Sequence, residues 1–254
     1  MAQPLAPLRP ELDIMPSPVP DQPGLLIRDP FQYSDATIIV PPLLARGLIF
    51  FDGEHTDLDL QEFLARATGD LRTTEAARNL IDSMSECGFL DSQEFHEMRD
   101  RKQREFAEAG VRQPAHAGIA YPSEADALRE KLRDYGTAEG SNSTATDSLV
   151  ALAAPHVSPE GGFRSYAAAY GRLGPQYVDR TFIILGTSHY GEPEKFGLTR
   201  KPFVTPLGTI RTDHALVDWL AAEAPQSIEM EDYCHASEHS IEFQCVFLQQ
   251  ALGG

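Results

Sequence analysis

The stretch Arg180–Gly191, RTFIILGTSHYG, decides how this chain is read. Phe182, Ile183, Ile184 and Leu185 form an uninterrupted apolar run whose length and β-branched content suit a strand covered on both faces. Gly186 breaks the run, and the loop after it carries His189. Open α/β sheets bind ligands beyond the carboxyl ends of their strands, so His189 is expected at a mouth rather than in a core. Upstream, Leu149–Ala154 is a second apolar run, and it ends at Pro155-His156. FRSYAAAYGRL, Phe163–Leu173, reads as the helix between the two runs. A right-handed βαβ crossover delivers both strand ends to one side, which predicts that His156 and His189 converge as a metal pair.

Working outward, PFVTPLGTIRTD (Pro202–Asp213) contains Pro206 and reads as an edge strand or hairpin, followed by a helix from Asp213. The last helix begins near Ser237, with Ile241, Cys245, Leu248 and Leu252 as its buried stripe. His239 and Glu242 lie three apart on another face of it, beside Glu238. A histidine at a helix start serves as an acid or base when a carboxylate orients it, and a salt-linked surface turn fits the same residues. Upstream of the strands, Ser123 caps a predicted helix carrying Ala127, Leu128 and Leu132. The small polar loop GTAEGSNSTATDS, Gly136–Ser148, then reads as mobile.

Residues 25–110 read as a small α+β module. Leu25–Ile27 and Gly47–Phe51 are predicted strands, and helices are expected from Thr56 or Asp57, from Thr73 or Thr74, and over Ser92–Ala109. The third is charge-rich and reads as a solvated connector. The pattern loosely resembles winged-helix or PqqD-like peptide-recognition modules, and a plain helical packing domain fits it as well. Residues 1–24 hold seven prolines and read as an extended, disordered arm. Residues 111–254 form the α/β domain.

The formal charge of −17, from 38 acidic and 21 basic residues, opposes phosphate backbones and anionic lipid, so neither nucleic acid nor membrane is expected as a partner. Cys87, Cys234 and Cys245 fall in no CxxC pair, and no apolar stretch near the start resembles a leader. A reducing, cytoplasmic setting is expected. Taken singly, each histidine fits a capped structural group as well as a ligand. His116 sits in a loop after Pro114-Ala115 without spacing that places it, and adjacent loop residues such as Cys234 and His235 rarely reach one ion together. His55, His96 and His214 read as exposed.

The order PAHAGIAYP, LAAPHVSP, FIILGTSHYG and SEHSIEFQCVFLQ, spread over Gln113–Leu252, resembles the Memo-like family, known in prokaryotes as AmmeMemoRadiSam system protein B. GTSHYG and EHSIE are the specific segments. The family is similar to class III extradiol ring-cleaving dioxygenases, which implies an α/β fold with a central mixed or parallel sheet flanked by helices and a mononuclear non-haem metal, iron or alternatively copper. It implies His156 and His189 as ligands and His239 lining the cleft; the residues themselves offer Glu242 as an acid–base companion to His239. His116, Ser188, Tyr190 and Glu238 would surround them. It also implies association with radical-SAM and AmmeCR-type proteins. Family members carry PHAGY where this chain has Pro155-His156-Val157-Ser158-Pro159, and they continue through further strands that bring a third ligand. The resemblance therefore implies a truncated, fragment-like domain, a redox or oxygen-using enzyme by descent, or else a non-enzymatic peptide- or protein-binding component.

Overall fold

The computed structural model describes residues 3–137, 148–191 and 194–253. Helices and small sheets mix along the chain, which divides into two units, Met1–Glu105 and Phe106–Gly254.

In the first unit, β1 (Asp13–Pro16), β2 (Leu25–Arg28) and β3 (Thr37–Val40) form an antiparallel meander with Asp13 opposite Arg28 and Leu25 opposite Val40. The proline-rich arm differs from its expected disorder. Its non-proline residues supply the hydrogen bonds that proline cannot: Leu5 N–H donates to His55 O, Leu8 N–H to Phe51 O and Arg9 N–H to Phe89 O. Leu5 and Leu12 are buried, and the buried Arg9 guanidinium pairs with Asp29 at 3.1 Å and stacks 3.7 Å above Phe95. Composition argued for disorder, but apolar residues spaced between the prolines found a core.

Gly47–Phe51 is not a strand. It ends α1 (Pro42–Gly47) and forms the 3-10 turn Leu48–Phe50. Pro42 in the first turn sets a helical φ, and burial follows a period of three, with Leu48 and Phe51 inside and Ile49 71% exposed. α2 (Asp57–Thr68) starts with a reciprocal capping box between Thr56 and Asp59 and stops at Gly69. α3 (Thr74–Glu86) ends before Gly88, whose φ of +66° suits glycine. Ile27, Leu60, Leu64, Met84 and Phe89 form the core of this unit. α4 (Gln93–Glu108) spans the division between the units, anchored by Phe95 and Phe106.

The second unit is built on α5 (Ala125–Thr137), α6 (Pro159–Tyr170), α7 (His214–Glu223), the short α8 (Cys234–Ser237) and α9 (His239–Leu252). β4 (Phe196–Leu198) runs parallel to β7 (Ile228–Met230), while β5 (Phe203–Thr205) and β6 (Gly208–Ile210) form a hairpin around Pro206. The Tyr166 ring of α6 stacks on Phe247 of α9 with centroids 4.1 Å apart. α9 is buried on nearly every side, far beyond the single stripe its apolar spacing suggested.

The two runs expected to be buried strands of a central sheet differ most from expectation. Leu149–Ala154 and Phe182–Leu185 lie outside any assigned strand, and among the described residues no central sheet forms. Leu149, Leu152, Ala154, Phe182 and Ile184 pack on the core with α6 and α9, but Val150, Ile183 and Leu185 are 99%, 68% and 82% exposed. The runs are covered on one face only. The polar loop Gly136–Ser148 lies mostly outside the described residues. Among those described, no helix is long and apolar enough to cross a membrane.

Candidate metal centre

α9 positions the site from its first residue. Glu238 caps it, accepting the Ser240 N–H at 2.8 Å, and the same carboxylate accepts the His189 backbone N–H at 3.0 Å. His189 Nδ1 lies 3.1 Å from both Glu238 oxygens. A carboxylate only accepts, so Nδ1 carries the proton and Nε2 keeps a lone pair for a ligand. Burial pushes the Glu238 carboxyl up, but the donors from His189 and Ser240 more than offset this and hold it below the usual range. Gly186 allows the approach: a Cβ there would meet Ser240 Oγ at 2.5 Å and Ile241 Cγ1 at 2.6 Å. Ser240 Oγ donates to Thr187 O at 3.0 Å and fastens the His189 loop to the helix.

His156 arrives from the other extended run. Gln244 Nε2 of α9 donates to Pro155 O at 3.0 Å, and Tyr166 OH donates to Val157 O at 3.0 Å, so both sides of His156 are anchored. The ring centroids of His156 and His189 are 5.2 Å apart, as the βαβ reading required, although the strands that were to deliver them are absent. His239 joins them, 5.7 Å from His156 and 4.7 Å from His189. One ligand nitrogen from each of the three lies within 4.8 Å of the others. Burial lowers the His239 pKa, and the neighbouring imidazoles add to the effect against Glu238, so the ring is kept neutral as a ligand must be.

This changes two assignments. His239 stands in the same cluster, so its nitrogen could serve as a third donor beside the pair expected from the sequence. Glu242 is no acid–base companion. It is fully buried, bonded by Arg112 Nη1 and Tyr121 OH, and it accepts the N–H groups of Ala115 and His116 at 3.0 Å each. Arg112 also donates to the carbonyls of His235 at 2.8 Å and Glu238 at 2.9 Å, fixing the turn that leads into α9. Sequence reading missed Arg112. The signal was Glu242 itself, set between Ile241 and Phe243 on an apolar helix, which demanded a buried cation.

His116 stands edge-on to His239 with centroids 5.8 Å apart, and its Nε2 bonds Ser237 O at 2.9 Å. The Tyr190 ring lies 5.9 Å from His189, while Ser188 Oγ is turned to the Gly191 N–H. Cys234 and His235 lie on α8 outside the cluster. Burial, with Asp232 adding, pushes the Cys234 thiol far up and keeps it protonated. His55, His96 and His214 make local bonds to Asp52, Asp91 and the Arg200 carbonyl.

The family profile described as Memo-like protein matches residues 112–253, more than half of the chain. The protein belongs to the Memo-like family. A MEMO1 family protein of Aquifex aeolicus is 28% identical over 224 residues, covering 88% of this chain and 58% of that protein. MEMO1 family proteins of Methanococcoides burtonii and Archaeoglobus fulgidus are 31% and 29% identical, each over a little more than half of this chain, and 51% and 49% of their own lengths are covered. The chain thus spans about half the length of the curated relatives it matches.

Proposed function

We propose that this Memo-like chain is an AmmeMemoRadiSam system protein B that holds one non-haem metal ion, iron first and copper second, on His156, His189 and His239. The convergence of the three imidazoles carries the reading: three protein nitrogens are the donor set typical of catalytic rather than structural metal sites. A bound ion would supply Lewis acidity or an anchor for dioxygen, consistent with a redox or oxygen-dependent enzyme related to the extradiol dioxygenases. The chain's residues prepare that chemistry. Glu238 fixes the His189 tautomer, burial keeps His239 unprotonated, and the Arg112–Glu242 pair holds the α9 turn in place. His116 and Tyr190 border the cluster where a substrate would approach.

The three free cysteines accord with a cytoplasmic setting, and the three-stranded sheet and helices of the first unit with a winged-helix or PqqD-like module. A second reading is a non-enzymatic, peptide- or protein-binding component of a complex with radical-SAM and AmmeCR-type proteins. The exposed Val150, Ile183 and Leu185 favour it. Elemental analysis of protein purified without added metal separates the two. Stoichiometric metal in the parent, lost in His156→Ala, His189→Ala and His239→Ala, supports the metal centre. Metal-free parent protein that also fails to take up iron or copper supports the second reading.

A further inference from the structure

We infer that residues 3–12 are a ligand held in cis by a peptide-recognition groove of the first unit, and that the groove takes in exchange an extended, proline-punctuated segment of a partner protein with leucine and arginine four residues apart. This rests on the peptide-binding reading of that unit and is independent of the metal centre. The arm is seated as a bound peptide is. It belongs to no helix or named strand, and its backbone bonds to a segment on either side. On one side Leu5 N–H donates to His55 O and Leu8 N–H to Phe51 O, both at 2.8 Å, while Gly53 N–H donates to Leu5 O at 3.1 Å. On the other, Arg9 N–H donates to Phe89 O at 3.0 Å and Asp91 N–H to Pro7 O at 2.7 Å. The Leu5 and Arg9 side chains are buried, whereas Pro4 and Pro10 are exposed. Main-chain hydrogen bonds, with side-chain pockets at intervals, are how extended peptides are recognised.

The pocket around Arg9 is assembled without the arm. Asp29 is held by the N–H groups of Phe31 and Ser34, at 3.0 and 3.1 Å, and Tyr33 stacks on Phe31 and stands edge-on to Phe95. Gly88 O accepts from Arg9 Nη1 at 2.8 Å. A carboxylate, a carbonyl and an aromatic face are thus fixed in place for a guanidinium. Arg9 itself does not complete the fit. Its Nε is buried without a hydrogen-bond partner, with Glu11 3.8 Å away, so a free ligand has room to compete. Pro4, Pro7 and Pro10 recur at the three-residue period of an extended polyproline helix, and a segment so preorganised loses little entropy on binding.

The test uses the full chain and a fluorescent synthetic peptide copying residues 3–12. Leu5→Asp with Arg9→Ala should release the arm, and this variant should bind the peptide one to one by fluorescence anisotropy. The parent carries a tethered competitor at an effective concentration on the order of 1 mM, so it should bind the peptide more weakly by about 10-fold or more. The peptide bearing Arg9→Ala should lose about 10-fold in affinity for the variant. Hydrogen exchange on the parent gives a second readout should the variant misfold. An exchangeable ligand leaves without global unfolding, so the amides of Leu5, Leu8 and Arg9 should exchange roughly 10-fold faster than those of Leu64 and Leu80 in the core helices. Equal rates overturn the proposal, because the arm is then a permanent part of the core. A folded variant that fails to bind the peptide overturns it as well. So does self-association of the parent that Arg9→Ala abolishes, since a second copy is then the partner. His156→Ala should leave both readouts unchanged, so failure of the metal reading leaves this one standing.

Discussion

α9 and the two extended runs are both rich in aliphatic residues, yet their surroundings differ. α9 is buried on almost every side, and its buried polar side chains are engaged: Glu242 by Arg112 and Tyr121, Gln244 by Tyr170 OH and the Pro155 carbonyl, Gln249 by Thr205, and Ser240 by the Thr187 carbonyl. The runs at Leu149–Ala154 and Phe182–Leu185 hold no charge to satisfy, and one face of them stays open. Apolar composition states a demand for burial, and the demand is met only where another element supplies the cover. The helix that looked half polar is the better buried because its buried polar groups meet partners.

Breaking α9 should cost most. Glu242→Ala leaves Arg112 charged and unpaired in the interior, and chemical denaturation should show a loss of about 3–5 kcal/mol in the second unit. Replacing Arg112 and Glu242 together by apolar residues of similar volume should recover much of that loss, since the penalty lies in the orphaned charge. Phe247→Ala removes the ring stacked on Tyr166 and should cost about 3–4 kcal/mol in the same assay.

A smaller effect is expected at the cap. Glu238→Gln weakens the grip on His189 without removing a ligand, so affinity for an added divalent metal should fall about 10- to 100-fold in a competition titration. If affinity is unchanged, the carboxylate does not orient the ring. Further from α9, burial raises the Glu231 carboxyl, but bonds from Lys201, the Arg200 N–H and Thr199 bring it net below the usual 4.5. The folded state therefore favours its charged form. Its contribution is present above pH 4.5 and disappears as pH falls through the lower folded value. The stability difference between the parent and Glu231→Gln should accordingly shrink to nothing on acidification. Leu185→Ser, on the open face, should move the unfolding midpoint least, by no more than about 0.5 kcal/mol. A loss as large as that of Phe247→Ala would show that the face is covered after all.

Much of the local structure was legible because its causes are local. Thr56 and Asp59 are a helix start wherever they fall, Gly69 and Gly88 end helices through backbone conformation, and Asp213 caps the helix that follows it. That His156 and His189 each end an apolar run was also legible, but the strand crossover from which their meeting was expected is not among the described elements. The partners of Glu242 were not legible. Arg112 lies 130 residues away, and no periodicity links the two. The folded proline arm was hidden for the same reason, since Leu5 and Leu12 gain their burial from β2, α2 and α3, not from neighbours in the chain.

By itself the sequence determined where helices begin and stop and that the chain carries histidines at the ends of two apolar runs. Each follows from chemistry within a few residues. Only the tertiary structure decided that His239 completes a cluster of three, that Glu238 rather than Glu242 serves it, and which face of the apolar runs is covered. Those outcomes depend on which distant elements meet, and hydrogen bonds and burial act between whatever groups the fold brings within a few ångströms.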